Sequence, residues 1–308
     1  MKIVSLLPSA TELVYALGLG DALSGVTFEC DHPEEARTKP VVSDTALPSD
    51  RPHSPGEIDR LVTERMERRE ALYVLDKELI ATIQPDLILT QDLCRVCAVP
   101  SGQVEAALEE LGCRAEVVSM DPAGLEEVLE SFLEVGRATG TEVRAEELVA
   151  SLRERIEAVR ARATRLPEIR TFAMEWLDPP FVGGHWIPEM IRLAAGVSLL
   201  SEPKQRSRRV TWRQIADASP EVLVFMPCGY YLPQAEEEAA RIYGVPEFQE
   251  TTANAGGTVF ATDASSYFSR PGPRLVDGLE AMAWAIHPEA YPEPPPGVIT
   301  RVSAPAIG

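Results

Sequence analysis

Basic residues are scarce in this chain. Lys and Arg number 29 against 48 Asp and Glu, a formal net charge of −19 at pH 7, and such an excess repels nucleic acid and anionic lipid over most of a surface. No nucleic-acid partner is expected. Long apolar runs are also missing: a membrane-spanning helix needs about 20 consecutive apolar residues, whereas the runs here are strand-sized, such as Val222–Pro227. The chain is therefore not expected to be membrane-spanning. Met1-Lys2-Ile3-Val4-Ser5-Leu6-Leu7-Pro8 has neither the apolar core nor the cleavage site of a secretory signal. As it reads, this predicts a cytoplasmic protein, or an extracytoplasmic one if a leader has been removed. The signatures of hydrolytic and nucleotide chemistry are missing too: there is no Gly-x-Ser-x-Gly, no His-Glu-x-x-His and no Gly-x-x-x-x-Gly-Lys-Ser/Thr. An enzyme is not expected. The five cysteines, an odd count, leave at least one thiol without an intrachain disulfide and favour a reducing compartment.

What is present is globular. Hydrophobic residues make up 45% and charged residues 25% of 308, a composition and length that suit one large domain or two ordinary ones. Lys2–Leu7 reads as a strand stopped by Pro8, and Ser9-Ala10-Thr11-Glu12 places Ser and Glu at capping-box spacing ahead of Leu13, Ala16 and Leu17. A strand at Leu23–Phe28 follows, then strands at Leu87–Thr90 and Ala115–Ser119 with a helix over Gly102–Leu111 between them. This alternation predicts an α/β lobe with a mainly parallel sheet. Pro48–Pro55 reads as a loop and Glu57–Arg69 as a charged helix decorating the lobe, with Ile58, Leu61, Val62 and Met66 on one face. Glu142–Arg165 keeps Leu148, Leu152, Ile156 and Val159 at helical spacing, and such a helix, about 35 Å long at 1.5 Å per residue, can bridge two lobes. A second α/β run comprises strands Arg170–Trp176, Val222–Met226 and Thr258–Thr262 and helices Pro188–Ala195 and Arg274–Ile286. The expected organisation is an N-terminal lobe over 1–124, a helical segment over 125–166, a C-terminal lobe over 167–289 and a Pro-rich tail over 290–308. The prolines of that tail predict an extended polyproline-like or disordered segment.

Several stretches in this order resemble the helical-backbone class of ABC-transporter substrate-binding proteins, and within it the cobalamin-binding branch. They are Lys2–Glu12, Gly25–Pro33, Gln84–Ile88, Asp178–Gly184 and Ser265–Arg274. The resemblance implies two α/β lobes joined by one long bridging helix, a ligand cleft between the lobes, little hinge motion, and binding without catalysis. It implies cobalamin or a related corrinoid or metal chelate as ligand, and an ABC permease as partner. Glu78 matches the acidic docking position of the N-terminal lobe, while Arg213 stands at the corresponding position of the other lobe. Tyr267 falls where the family carries an aromatic that stacks on the ring.

Open α/β sheets bind ligands beyond the carboxyl ends of their strands. The candidate ligand-binding residues on strand-end loops are therefore Phe28, Cys30, Asp31, Phe181, Trp186, Tyr230, Tyr231, Tyr267 and Arg270. The aromatics suit the apolar face of a corrin, or else fill the core. Arg270 suits a carboxylate or phosphate of the ligand, or else caps a lobe edge. His32 and His185 are the histidines in these loops, open to metal ligation or to ordinary hydrogen bonding. Cys94 and Cys97 form a Cys-x-x-Cys on one strand-end loop, and Cys30 and Cys228 occupy two others. These four are candidate metal ligands, for zinc or an iron–sulfur cluster, in an alternative reading as an intracellular metal or redox protein; inert packing thiols are the plain alternative. Cys113, at a helix-to-strand connection, is expected at the opposite end of the sheet.

Overall fold

The structure is a computed structural model and describes residues 1–48, 54–68, 70–92 and 98–304. The chain divides into two compact units, Met1–Pro122 with Glu127–Ala150, and Ala123–Glu126 with Ser151–Gly308.

The first unit is built on strands β1 (Ile3–Ser5), β2 (Leu23–Thr27), β3 (Val41–Thr45), β4 (Tyr73–Leu75), β5 (Leu87–Thr90) and β6 (Glu116–Ser119), in the order β4-β3-β2-β1-β5-β6. All neighbours are parallel except the edge pair β3 and β4. The two central strands β1 and β5 are buried at every position. That is why Ile3-Val4 and Leu87-Ile88-Leu89 read as continuous apolar runs: helices cover both faces of a parallel sheet. Val4, Leu6, Val42, Ile80, Ile88, Val104 and Leu108 form the core. The covering helices are α1 (Pro8–Ala16), α3 (Lys77–Ile83) and α4 (Ser101–Leu111), with α2 (Pro55–Glu67) largely exposed and α5 (Leu125–Thr139) and the 22-residue α6 (Glu142–Ala163) following. The division between units falls inside α6, at Ala150 and Ser151.

Two local expectations are corrected here. Helix α1 begins at Pro8, with Leu7 as an extended N-cap and no side-chain cap; proline at the first helical position loses no hydrogen bond. Ser9 and Glu12 are buried instead of forming a capping box. A capping box is found instead at α2, where Ser54 accepts from the Glu57 amide and donates its own amide to Glu57 Oε2 at 2.9 Å.

The second unit carries β7 (Ile169–Leu177), β8 (Pro180–Val182), β9 (Gly196–Ser198), β10 (Arg208–Arg209), β11 (Val222–Phe225), β12 (Val259–Thr262) and β13 (Ile299–Arg301). Their order is β10-β8-β7-β11-β12-β13, with β9 also on β7. Strands β7, β11 and β12 are parallel. Its helices are α7 (Ile187–Leu193), α8 (Trp212–Ala218), α9 (Leu232–Ala239), α10 (Pro246–Gln249), α11 (Thr252–Gly256), α12 (Ala264–Tyr267) and α13 (Leu275–Ile286). Phe172, Ile215, Leu223, Phe225 and Phe248 are the bulk of the core, each at most 1% exposed; burying one such side chain stabilises by about 2–3 kcal/mol. The C-terminal part of α6 is tied to α13 by Arg155, whose Nε and second guanidinium nitrogen donate to Glu280 at 3.0 and 2.7 Å while Asp277 takes a further bond. These bonds raise the guanidinium's pKa.

The Pro-rich tail is not merely an extended coil. Ile299–Arg301 adds an antiparallel edge strand to β12, and Tyr291 donates its hydroxyl to the Val159 carbonyl at 2.9 Å. The cluster Pro292–Pro296 is followed by Val298-Ile299-Thr300-Arg301-Val302, whose β-branched residues favour a strand.

One close approach positions a strand-end loop. Gly278 lies inside α13, where alanine is the better helix former by about 1 kcal/mol. A Cβ there would sit 2.1 Å from the Tyr267 carbonyl oxygen, so only glycine lets α12 lie on α13. Gly278→Ala is expected to lower stability by about 2 kcal/mol despite its helix propensity, the cost of overpacking, as read from a urea midpoint. A stabilised variant would show that α12 is not seated there.

Two histidines set a pH dependence. Burial lowers the pKa of His185, with Arg206 adding to the effect, and burial lowers that of His287 against a backbone hydrogen bond with Ala195. Both Nε2 atoms are buried without a hydrogen-bond partner among the described residues. Each group binds a proton more readily when unfolded, so its contribution is complete above the ordinary value of 6.5 and is lost as pH falls below it. The melting temperature is expected to drop between pH 7 and about 5.5, ahead of most carboxylate titration, and the drop should flatten in a His185→Asn/His287→Asn variant. An unchanged slope would remove both histidines as its source.

Candidate functional site

Strand order decides where a crevice opens. In the second sheet, β7 sends its chain out through β8 and β10 on one side, whereas β12 and β13 continue on the other side of β11. The carboxyl ends of β7 and β11 therefore flank a switch point, the usual location of a ligand in an open α/β sheet. Two aromatic rings stand there. Trp176, near the end of β7, meets Tyr230 of the loop after β11 edge to face, with ring centroids 5.8 Å apart. Trp176 also lies opposite Phe181 in the β7–β8 register, and Phe181 lies opposite Arg209 in the β8–β10 register. Residues directly opposite across antiparallel strands share a face, and the Arg209 guanidinium stands 5.6 Å from the Phe181 centroid. The row Tyr230, Trp176, Phe181, Arg209 thus crosses the sheet edge. Its three rings are all partly exposed.

The loop after β12 borders this row. Ser265 donates its amide to the Tyr230 carbonyl at 3.1 Å, and Asp263 caps α12 by accepting from the Ser266 amide at 3.0 Å. Burial raises the Asp263 carboxyl above its usual range, with hydrogen bonds from Ser266 and the charges of Arg274 and Arg270 pulling the other way. Tyr267 is partly exposed under Arg274, whose guanidinium lies 5.3 Å from the ring centroid. Burial, and secondarily Glu238, raise the Tyr230 phenol, which therefore stays a neutral donor at pH 7. Arg270 is half-buried in the same loop.

Not every expected residue joins this face. Trp186 is 5% exposed, and its indole N–H donates to the Phe268 carbonyl at 2.8 Å; it is a packing residue that fixes one strand-end loop to another. Tyr231 is exposed at the start of α9, its amide donating to Gln234 Oε1. Cys228 is a half-buried free thiol.

In the first unit, Phe28 follows β2, is 42% exposed and stands 6.5 Å from the Tyr73 ring, a ring that sequence reasoning passed over. Cys30 is buried with its Sγ 3.0 Å from Thr11 Oγ1. Asp31 has a side chain only 10% exposed and lies 3.8 Å from Arg37. Cys113 sits between α4 and β6 and accepts from Gln84 Nε2 at 3.1 Å, at the amino end of the strands. Glu78 is exposed in the first turn of α3.

The four-cysteine centre draws no support from this arrangement. Cys94 and Cys97 lie outside the described residues, and among the described residues no three His, Cys, Asp or Glu side chains are grouped to hold a metal. Cys30 and Cys113 are buried, the first beside the Thr11 hydroxyl and the second beside the Gln84 amide.

Trp176, Arg209 and Arg274 also escaped the sequence reading. Trp176 lies inside its strand rather than on the loop beyond it, and the arginines read as ordinary surface charge. The signal for Arg209 was the density of basic residues over 204–209 in an acidic chain.

No helix among the described residues is long and apolar enough to cross a membrane. Comparison with known proteins gives the following likenesses. An uncharacterized ABC transporter substrate-binding lipoprotein of Bacillus subtilis is 24% identical over 298 residues, covering 95% of this chain and 82% of the relative. A vitamin B12-binding protein of Vibrio cholerae is 24% identical over 286 residues, covering 91% and 86%. Among solved structures, a periplasmic heme-binding protein of Pseudomonas aeruginosa superposes with a TM-score of 0.72 at 20% identity, covering 98% of each chain. These relatives lend the cytoplasmic expectation no support. The model of the periplasmic binding protein family matches residues 3–266, and the chain belongs to that family of binding proteins.

Proposed function

We propose that this chain is the substrate-binding component of an ABC importer, acting outside the cytoplasmic membrane, and that its ligand is a flat ring-bearing chelate of the corrinoid class, with cobalamin as the reference compound. The observation that carries this reading is the row of partly exposed rings Tyr230, Trp176 and Phe181 at the switch point between β7 and β11. Rings set at a strand-end crevice offer stacking and edge contacts to a macrocycle. The vitamin B12-binding relative in Vibrio cholerae supports the ligand class, and the lipoprotein relative supports the transport role and the location.

Docking on a permease calls for negative charge on each unit. Glu78 supplies it on the first, exposed at the start of α3. On the second, Arg213 is bonded at 2.9 Å to both Asp217 and Glu250, so one cation with two anions leaves a local charge of −1. The arginine at this position is offset by its own surroundings, and Asp217 and Glu250 are the groups that would meet a basic permease surface.

Titration of the protein with cobalamin, followed by the visible spectrum of the corrin, tests the reading. Saturable binding is expected, and Trp176→Ala and Tyr267→Ala should each weaken it about tenfold, near 1.4 kcal/mol. Unchanged affinity with a lowered melting temperature would make these rings packing residues. Binding of neither cobalamin nor cobinamide would overturn the corrinoid class.

A further inference from the structure

The irregular segment that leads into β10 is fastened to the loop after β8 through one histidine. His185 donates its amide to the Gln205 carbonyl at 2.6 Å and accepts from the Lys204 amide at 2.9 Å. Both partners are left-handed or next to a left-handed residue, with φ at 52° for His185 and 65° for Lys204, a region that a residue with a Cβ adopts only when its surroundings hold it there. The contact is close: a Cβ on Gly184 would sit 2.3 Å from the Ser207 nitrogen and 2.6 Å from the Arg206 carbonyl carbon. Beyond the segment, Val210 donates to the Pro180 carbonyl at 2.9 Å, and the β8–β10 register sets Arg209 opposite Phe181. The seating of the segment thus continues into the sheet edge that carries one ring of the aromatic row.

The His185 side chain is placed so that a proton cannot be accommodated. Its Nε2 is buried with no hydrogen-bond partner among the described residues, and its ring stands 5.6 Å from that of Trp186, a fixed wall that is 5% exposed. The charged groups on the elements around it are engaged elsewhere or repel a proton. Glu175 of β7 accepts from the Gly184 amide at 3.4 Å, Glu189 of α7 accepts from the Leu125 amide at 2.9 Å, and Arg192 of α7 pairs with Glu202. On the segment itself, the Lys204 side chain lies along Gly124, and Arg206 is the group whose charge His185 feels. A proton on Nε2 would be a buried donor without an acceptor, beside a cation, and such a group is driven out to water. We infer that residues 204–210 form an acid-released strap: protonation of His185 turns its ring outward, breaks both of its backbone bonds to the segment and frees the β8–β10 edge at Phe181. The release needs no ligand, and it loosens one end of the aromatic row whatever ring that row receives.

Amide hydrogen exchange of the ligand-free full chain, corrected for the intrinsic effect of pH on exchange, gives the test. Between pH 7 and about pH 5, protection of the His185, Lys204 and Val210 amides should fall about tenfold further than that of β7 and β11. His185→Asn tolerates the left-handed backbone and does not titrate, so it should remove this extra fall. Arg206→Gln takes away the opposing cation, and the fall should then come at higher pH, nearer the ordinary histidine value of 6.5. Protection of the three amides that falls no further than that of β7 and β11, or that falls equally in His185→Asn, would overturn the inference. If His185→Asn leaves the three amides unprotected at every pH, Arg206→Gln decides. A midpoint moved to higher pH upholds the strap, and an unmoved midpoint overturns it.

Discussion

Two neighbouring parallel strands whose chains leave in opposite directions cannot close the space beyond their ends, and the rest of this site depends on that constraint. In the second unit the divergence falls between β7 and β11. Side chains at these strand ends face the crevice between the two diverging connections. Trp176 and Tyr230 occupy this position. The first unit repeats the arrangement around β1 and β5, where the start of α1 and the half-exposed Phe28 follow strand ends.

The loops that frame the opening are held by close backbone approaches as well as by buried rings such as Trp186 and Phe268. Gly278 lets α12 rest on α13, and Gly184 lets the segment 204–209 rest on the turn after β8. At each position a methyl group would meet main-chain atoms, which cannot swing aside as a side chain can. Trp186 adds a buried indole hydrogen bond to Phe268. The aromatic row is consequently presented by fixed elements, which reduces the ordering cost of binding.

Much of this was legible in the sequence because the signals were local and repeated. Apolar runs such as Leu87–Leu89 and Val222–Phe225 are read as buried parallel strands from composition alone, and the loops after them follow. Phe181, Tyr230 and Tyr267 were expected beyond strand ends on that logic, and all three are partly exposed there. What escaped depended on pairing. Trp176 counts as an ordinary strand residue until the β7–β8 register sets it opposite Phe181, and Arg209 acquires meaning only from β10 lying against β8. The edge strand Ile299–Arg301 was hidden in a tail whose prolines dominate its reading. The contact of Cys30 Sγ with Thr11 Oγ1 is likewise one that spacing does not reveal.

The central claim, that the strand-end face of the second unit receives the ligand, is tested most directly by amide hydrogen exchange with and without a saturating ring-bearing ligand. The account predicts slowed exchange in three segments of the second unit: residues 176–185, 205–210 and 228–231, with further slowing over 263–268. Slowing confined to other parts of that unit, such as α8 and α10, with these segments unchanged would contradict it.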